Sequence, residues 1–96
     1  MSVHLIQVTI GSSRTQVSAT TINVSQVTLE GDDGNSNPAF VGDVTVASTN
    51  GIRLHNSATV PGRIQLGPHA ANNINLADIY IAGTQNEKVN VLYTTI

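Results

Sequence analysis

Apolar and polar side chains alternate along this chain with the period of a β-strand, and nowhere with that of a helix. From Val3 to Ile10, His4, Ile6, Val8 and Ile10 share one face, while Leu5, Gln7 and Thr9 share the other. Gly11-Ser12-Ser13 ends that segment with turn chemistry. Arg14–Ser18 offers a short second strand of low apolar content. In Thr20–Glu30, Ile22 and Val24 have one parity and Val27 and Leu29 the other. A bulge or bend near Ser25-Gln26 would account for the switch. Residues 31–38, rich in Gly, Asp and Asn, read as the clearest loop.

The second half repeats the theme. Phe40–Ala47 reads as one strand with Phe40, Val44 and Val46 on a common face, and Gly42 marks a bulge or a close backbone approach. Thr49-Asn50-Gly51 is a tight-turn signal, because Asn-Gly readily takes positive φ. Ile52-Arg53-Leu54 follows as a short strand, and Val60-Pro61-Gly62 as a turn. Arg63–Leu66 is a strand, residues 67–73 a loop, and Ile74 and Leu76 anchor its end. Asp78–Ala82 is a strand with Ile79 and Ile81 inward and Tyr80 on the opposite face. Gly83–Glu87 is expected to be a hairpin turn, and Lys88–Ile96 the partner strand, with Val89, Val91 and Tyr93 alternating against Asn90, Leu92 and Thr94. About seven or eight short strands separated by turns imply an all-β fold in a single domain. The expected form is an antiparallel β-sandwich, with jelly-roll and immunoglobulin-like topologies both open.

Composition narrows the function classes. The 96 residues contain one Phe, two Tyr and no Trp, so the core must be aliphatic. Charged residues make up 10%, well below the roughly 25% of typical soluble domains. A surface of Asn, Thr, Ser and Gln is suited to lying against other protein. Net charge is −2 and the four basic residues are dispersed, which excludes a counterion-displacing patch for nucleic acid. Absence of Cys excludes disulfides, zinc thiolates and thiol nucleophiles. No apolar run is long enough to span a membrane as a helix. The first residues lack the basic start and long apolar core of a signal peptide, so use without secretion is expected.

Candidate chemistry is sparse. Asp33-Gly34-Asn35-Ser36-Asn37 opens like a calcium loop, but Pro38 stands where Gly is needed and Val44 where a bidentate Glu is needed. A polar contact loop presenting Asp33, Asn35 and Asn37 is the simpler reading. His4, His55 and His69 have no zinc-ligand spacing. Asp43 and Asp78 are the only acids near strands, and no serine or acid has a partner for nucleophilic or acid–base work. The expectation is therefore no enzyme, no cofactor and no metal. Tyr80 and Tyr93, expected on adjacent strands of the final hairpin, either share an exposed face for a sugar or protein contact or fill the core with hydroxyls at the rim. Arg53 and Arg63 either meet carboxylates of a neighbouring subunit or are solvated. The apolar, β-prone terminus containing His4, Leu5 and Ile6 is expected to act as an interacting strand or arm over residues 1–10, pairing with a second copy or another protein.

One resemblance adds to this. The order Phe40-Val41-Gly42-Asp43, Asn50-Gly51-Ile52-Arg53-Leu54, Asn75-Leu76-Ala77-Asp78-Ile79-Tyr80-Ile81-Ala82-Gly83-Thr84 and Lys88-Val89-Asn90-Val91-Leu92-Tyr93 resembles small β-sandwich virion proteins of tailed phages. It covers the last ~60 residues and consists of structural glycines and core apolar positions. The connections Asn56–Val60 and Gly67–Asn73 are longer than in that pattern. The resemblance implies a capsid decoration (cement) protein on the outer surface of the virion. Its partner would be the major capsid protein, and it would form a homo-oligomer, dimer or trimer, following the symmetry of the shell. A tail, head–tail or fibre-associated location is the alternative within the particle. A carbohydrate-binding sandwich for host attachment is the alternative from another class.

Overall fold

The computed structural model describes residues 1–47, 49–54 and 62–96. His55, the Asn56–Val60 connection and most of the turn expected at Pro61 lie outside the described residues. The described residues form ten strands and one short 3-10 turn: β1 (Ser2–Thr9), β2 (Thr15–Gln16), β3 (Asn23–Val24), β4 (Gln26–Gly31), β5 (Ala39–Gly42), β6 (Ile52–Leu54), β7 (Arg63–Leu66), β8 (Ile74–Asn75), the 3-10 turn Leu76–Asp78, β9 (Tyr80–Ala82) and β10 (Lys88–Thr95). The pairing follows one rule. β1 pairs with β10, β2 with β9, β3 with β8, β4 with β7 and β5 with β6, all antiparallel. The chain is thus one long nested hairpin. Wrapped on itself, it gives a large sheet in the order β1-β10-β4-β7, a second sheet β2-β9-β5-β6 and a two-stranded ribbon β3-β8. Nested pairing split between two facing four-stranded sheets is the jelly roll. The β-sandwich expectation holds, and the strand order selects jelly-roll over immunoglobulin-like topology.

The core lies between the sheets and is aliphatic throughout. Val27 and Leu29 of β4 and Val89 and Val91 of β10 meet Ala39 and Val41 of β5, Leu54 of β6 and Ile81 of β9, with Ile10, Val24, Leu76 and Ile79 closing the ends. The strand parities explain who points inward. Ile6, Val91, Leu29 and Ile64 form one row across the large sheet, because the registers pair them in turn. The parity switch in the third segment falls at Ser25, between β3 and β4, where the chain passes from ribbon to large sheet. Ser25 is buried, and both its N–H and its hydroxyl donate to the Thr94 carbonyl at 2.9 and 3.1 Å.

Four expectations are corrected. The connection Gly83–Glu87 is an arch, because β9 pairs with β5 and β2 while β10 pairs with β1 and β4. Asn86 takes a left-handed φ of 74° in that arch. Its N–H and the Glu87 carbonyl bond the backbone of Ile10, both at 2.8 Å, so the arch extends the β1 side rather than closing a hairpin. The strand expected over Phe40–Ala47 stops at Gly42. The Asp43 carboxylate accepts from the N–H and hydroxyl of Thr45 at 2.9 and 2.6 Å, and this local ring turns the chain. Ala39 and Val41 point inward and Phe40 outward; beyond the turn Val44 is exposed, while Val46 is buried outside the core cluster, against Gly42 and Gly51 on the Phe40 side of β5. The tight turn closes between Ala47 and Asn50, whose backbones exchange two bonds of 3.2 Å, and neither Asn50 nor Gly51 has positive φ. Finally, residues 76–78 form a 3-10 turn, capped by Asn75, where the sequence shows no helical signal.

Gly51 and Gly42 are required by close approach to one side chain. A Cβ on Gly51 would lie 2.8 Å from Val46 Cγ2, and one on Gly42 would lie 3.1 Å from the same atom. Gly51→Ala should destabilise the protein by about 1–3 kcal/mol through overpacking. Combining it with Val46→Ala should cost less than the sum of the two single changes. A double-mutant cycle by urea unfolding checks this, and simple additivity would exclude the clash as the cause.

Candidate binding surface

The face of the large sheet turned away from the core carries the side chains of the opposite parity. The registers set them in two rows. Leu5, Leu92, Thr28 and Gln65 form one row across β1, β10, β4 and β7, and Gln7, Asn90, Glu30 and Arg63 form the next. The resulting open groove, of about 530 Å³, is lined by Leu5, Thr28, Glu30, Arg63, Gln65, Asn90 and Leu92.

Its polar side is held by local bonds. The Arg63 guanidinium donates through Nε and Nη2 to Glu30 Oε2 at 3.2 and 3.1 Å. Gln7 Nε2 donates to Asn90 Oδ1 at 2.9 Å, and Asn90 Nδ2 donates to Asp32 Oδ1 at 3.1 Å. The groove is therefore electrically balanced, with a leucine and threonine floor and an ordered amide rim. Among the described residues no aromatic ring lines it. Among the described residues no group of three or more His, Cys, Asp and Glu gathers as a metal site. What the arrangement offers is non-covalent contact with a polar, uncharged surface.

The individual candidates separate clearly. Leu5 and Arg63 both line the groove, from the two edge strands of the sheet. The carboxylate of Arg63 comes from its own chain, not a neighbouring one. Its pairing is solvent-exposed and weakly stabilising, roughly 0–1 kcal/mol. Arg53 is exposed and sits over the Phe40 ring, 5.7 Å from its centroid, because the two residues face each other across β5 and β6. His4 and Tyr93 come together as a stacked pair with centroids 4.9 Å apart. His4 shares the parity of Ile6 and Val8 but lies beyond the end of the core and is exposed. Tyr93 is half-buried against the core. Tyr80 is half-buried on the second sheet, so the two tyrosines do not share a face. Ile6 is half-buried against the core and is not a contact residue.

In the loop 32–38, of the three candidates Asp33 and Asn37 are exposed and keep a contact role open. Asn35 is buried and bonds the backbone of Lys88 twice. Its Nδ2 donates to the Lys88 carbonyl at 2.7 Å and its Oδ1 accepts from the Lys88 N–H at 2.9 Å. This is the pattern of a strand neighbour made by a side chain. Asn37 donates its backbone N–H to Glu87 Oε1 at 3.1 Å, and Ser36 N–H donates to Glu87 Oε2. The loop is thus fastened to the arch before β10. Of the strand or arm expected over residues 1–10, the structure forms the strand: β1 is paired with β10 over its whole length as an edge strand, and Ile10 is in the core.

Sequence reasoning missed Thr28, Glu30, Gln65, Asn90 and Leu92. The signal was present in parity, since Leu92 is apolar within the otherwise polar phase of its strand, and Leu5 and Val3 are apolar in the phase of Gln7 and Thr9.

Asp32 has a testable electrostatic consequence. The Asn90 amide, then the Gly34 N–H, then the nearby Lys88 charge hold its carboxyl below the ordinary 3.8, against a desolvation that acts the other way. A depressed folded-state pKa favours folding above the ordinary value and is lost as pH falls below it. Asp32→Asn should therefore flatten the fall of the thermal midpoint below pH 3.8 while leaving the neutral-pH slope unchanged; an unaltered acid limb would remove Asp32 from that role. No protein-family model, curated protein or solved structure matches this chain.

Proposed function

We propose that this chain is a non-catalytic virion structural protein of a tailed phage, a decoration protein on the outer capsid surface. It binds neighbouring copies of the major capsid protein and holds the seam between them. The observation that carries this reading is the open, charge-balanced groove on the outer face of the large sheet, bordered by the unpaired edge of β1. Such a surface buries little charge on docking, which avoids the desolvation cost of unpaired ions. Weak contacts of this kind become firm when many copies act on one lattice. The resemblance of the second half to small phage virion proteins supports the same assignment. The jelly-roll architecture is shared by viral capsid and lectin domains, which is support by analogy of fold alone.

A carbohydrate-binding role is less well supported. Sugar recognition favours exposed aromatic faces, and the rings here lie elsewhere: Phe40 under Arg53, Tyr93 against His4 and the core, Tyr80 on the second sheet. A tail or head–tail position shares the same binding chemistry and is separated by experiment.

Purified protein mixed with expanded, undecorated capsids should co-sediment saturably, at a fixed number of copies per capsomer, and should raise the capsid melting temperature. Thr28→Arg, which fills the groove away from β1, should weaken this binding ~10-fold or more, about 1.4 kcal/mol, without lowering the chain's own unfolding midpoint. Absence of binding together with localisation to the tail of intact virions would replace the capsid role by the tail role.

A further inference from the structure

Among the described residues, the four edges of the two four-stranded sheets differ in length. β2 offers two residues, β6 three and β7 four, whereas β1 offers eight. β1 also carries no charged side chain, no proline and no glycine, the features that normally protect an edge from pairing. Beside it runs an apolar strip on the outer face. Met1, Val3 and Leu5 are 93%, 60% and 72% exposed, and Leu92 and Ile96 of the adjoining segment are 44% and 66% exposed. The register sets Leu5 beside Leu92 and Val3 beside Thr94 on this face.

We infer that this edge pairs with the same edge of a second copy, antiparallel, across a two-fold axis at Leu5. The two large sheets then continue into one sheet of eight strands, β7-β4-β10-β1 on each side of the axis. This deepens the reading of the β1 border as a docking surface, and names its occupant.

Three observations select a second copy. An uncharged strand meets itself without the like-charge repulsion that usually prevents self-pairing. An isologous interface needs a patch that is complementary to itself, and Met1, Val3 and Leu5 make the outer row of β1 apolar up to the axis, with the uncharged Gln7 and Thr9 completing it. The register is also determined. Antiparallel pairing must keep Ile6 and Val8 on the core side and Val3 and Leu5 outside, so the axis must pass through a residue of β1 rather than between two. With the axis at Leu5, residues Ser2 to Val8 all find partners, and Leu5 faces the partner's Leu5. The outer row then reads Leu92, Leu5, the partner's Leu5, the partner's Leu92. An axis at His4 pairs only Ser2 to Ile6, and one at Ile6 separates the two Leu5 side chains by setting each against the partner's Gln7; at Leu5 it is Val3 that meets the partner's Gln7, and the leucines stay adjacent.

The test uses the isolated full chain. Sedimentation velocity across a concentration series should show a species of twice the chain mass. Leu5→Lys, which opposes two ammonium groups at the axis, should weaken dimerisation ~10-fold or more. Ile52→Lys, at an exposed position on β6, should leave it unchanged. Because the chain contains no Cys, Leu5→Cys should form an intermolecular disulfide under mild oxidation and Thr9→Cys should not. A monomer at every soluble concentration overturns the inference. So does a dimer that Leu5→Cys fails to cross-link or that Thr9→Cys links as readily. No capsid is present in these measurements. A monomeric chain that still co-sediments with shells would sink the dimer and leave the decoration role standing; a cross-linked dimer that binds no shell would do the reverse.

Discussion

The pairing of the first strand with the last is the constraint on which the fold rests. Ser2 lies opposite Thr95 and Thr9 opposite Lys88, so the two ends of the chain are held together over eight residues. Every other pair is nested inside that one. The inner pair β5–β6 joins segments close in sequence, and each outer pair spans more chain. Loop-closure entropy rises slowly with span, so the outer pairs are thermodynamically tolerable once the inner ones exist. The same topology implies slow folding, since most contacts are non-local. Ile10 ties the outermost pair to the sandwich. Its side chain is in the core, and its backbone bonds the arch at Asn86 and Glu87. Removing the first ten residues would therefore expose β10 and open the core rather than trim an arm. Point changes on the outer face are the proper probes of binding.

How much of this was legible in the sequence depended on whether the determinant was local. Strand parity was local. Ile6, Val8 and Ile10, Val27 and Leu29, Ile79 and Ile81, and Val89 and Val91 point where alternation puts them, and the bend at Ser25 was visible as a switch of phase. Strand pairing was not local. Five residues between β9 and β10 suit a hairpin and an arch between facing sheets about equally, and only the competing pairings β9–β5 and β10–β4 decide. The end of β5 was hidden for a related reason. Phe40, Val44 and Val46 look continuous until the Asp43–Thr45 ring ends the strand, and an Asp with a Thr two residues later is a weak signal in a chain so rich in threonine.

The candidate surface was legible only in part. Leu5 and Arg63 were noted for their own chemistry, at opposite ends of a groove whose middle comes from β10 and β4. Asn35 shows the opposite error. An asparagine in a polar loop reads as exposed, yet here its amide takes the place of a backbone group opposite Lys88 and is buried. A side chain able to both accept and donate is what that position needs. Alternation cannot reveal this, because the partner lies 53 residues away.

The large sheet presents two binding resources at right angles to each other. The free backbone groups of β1 lie in the plane of the sheet, while the groove side chains stand along its normal. Engagement of one leaves the other open. If the edge joins a second copy, the two grooves come to lie on the same face of one continuous sheet, related by the axis at Leu5. Leu5 then has a place in both, at the groove's border and at the axis. A pair of chains so joined would meet a repeating surface at two points with fixed spacing. The second contact would form at high effective concentration, provided the spacing matches the repeat. That geometry suits a weakly charged protein, since long-range electrostatic attraction contributes little and two modest contacts must supply what one strong contact cannot.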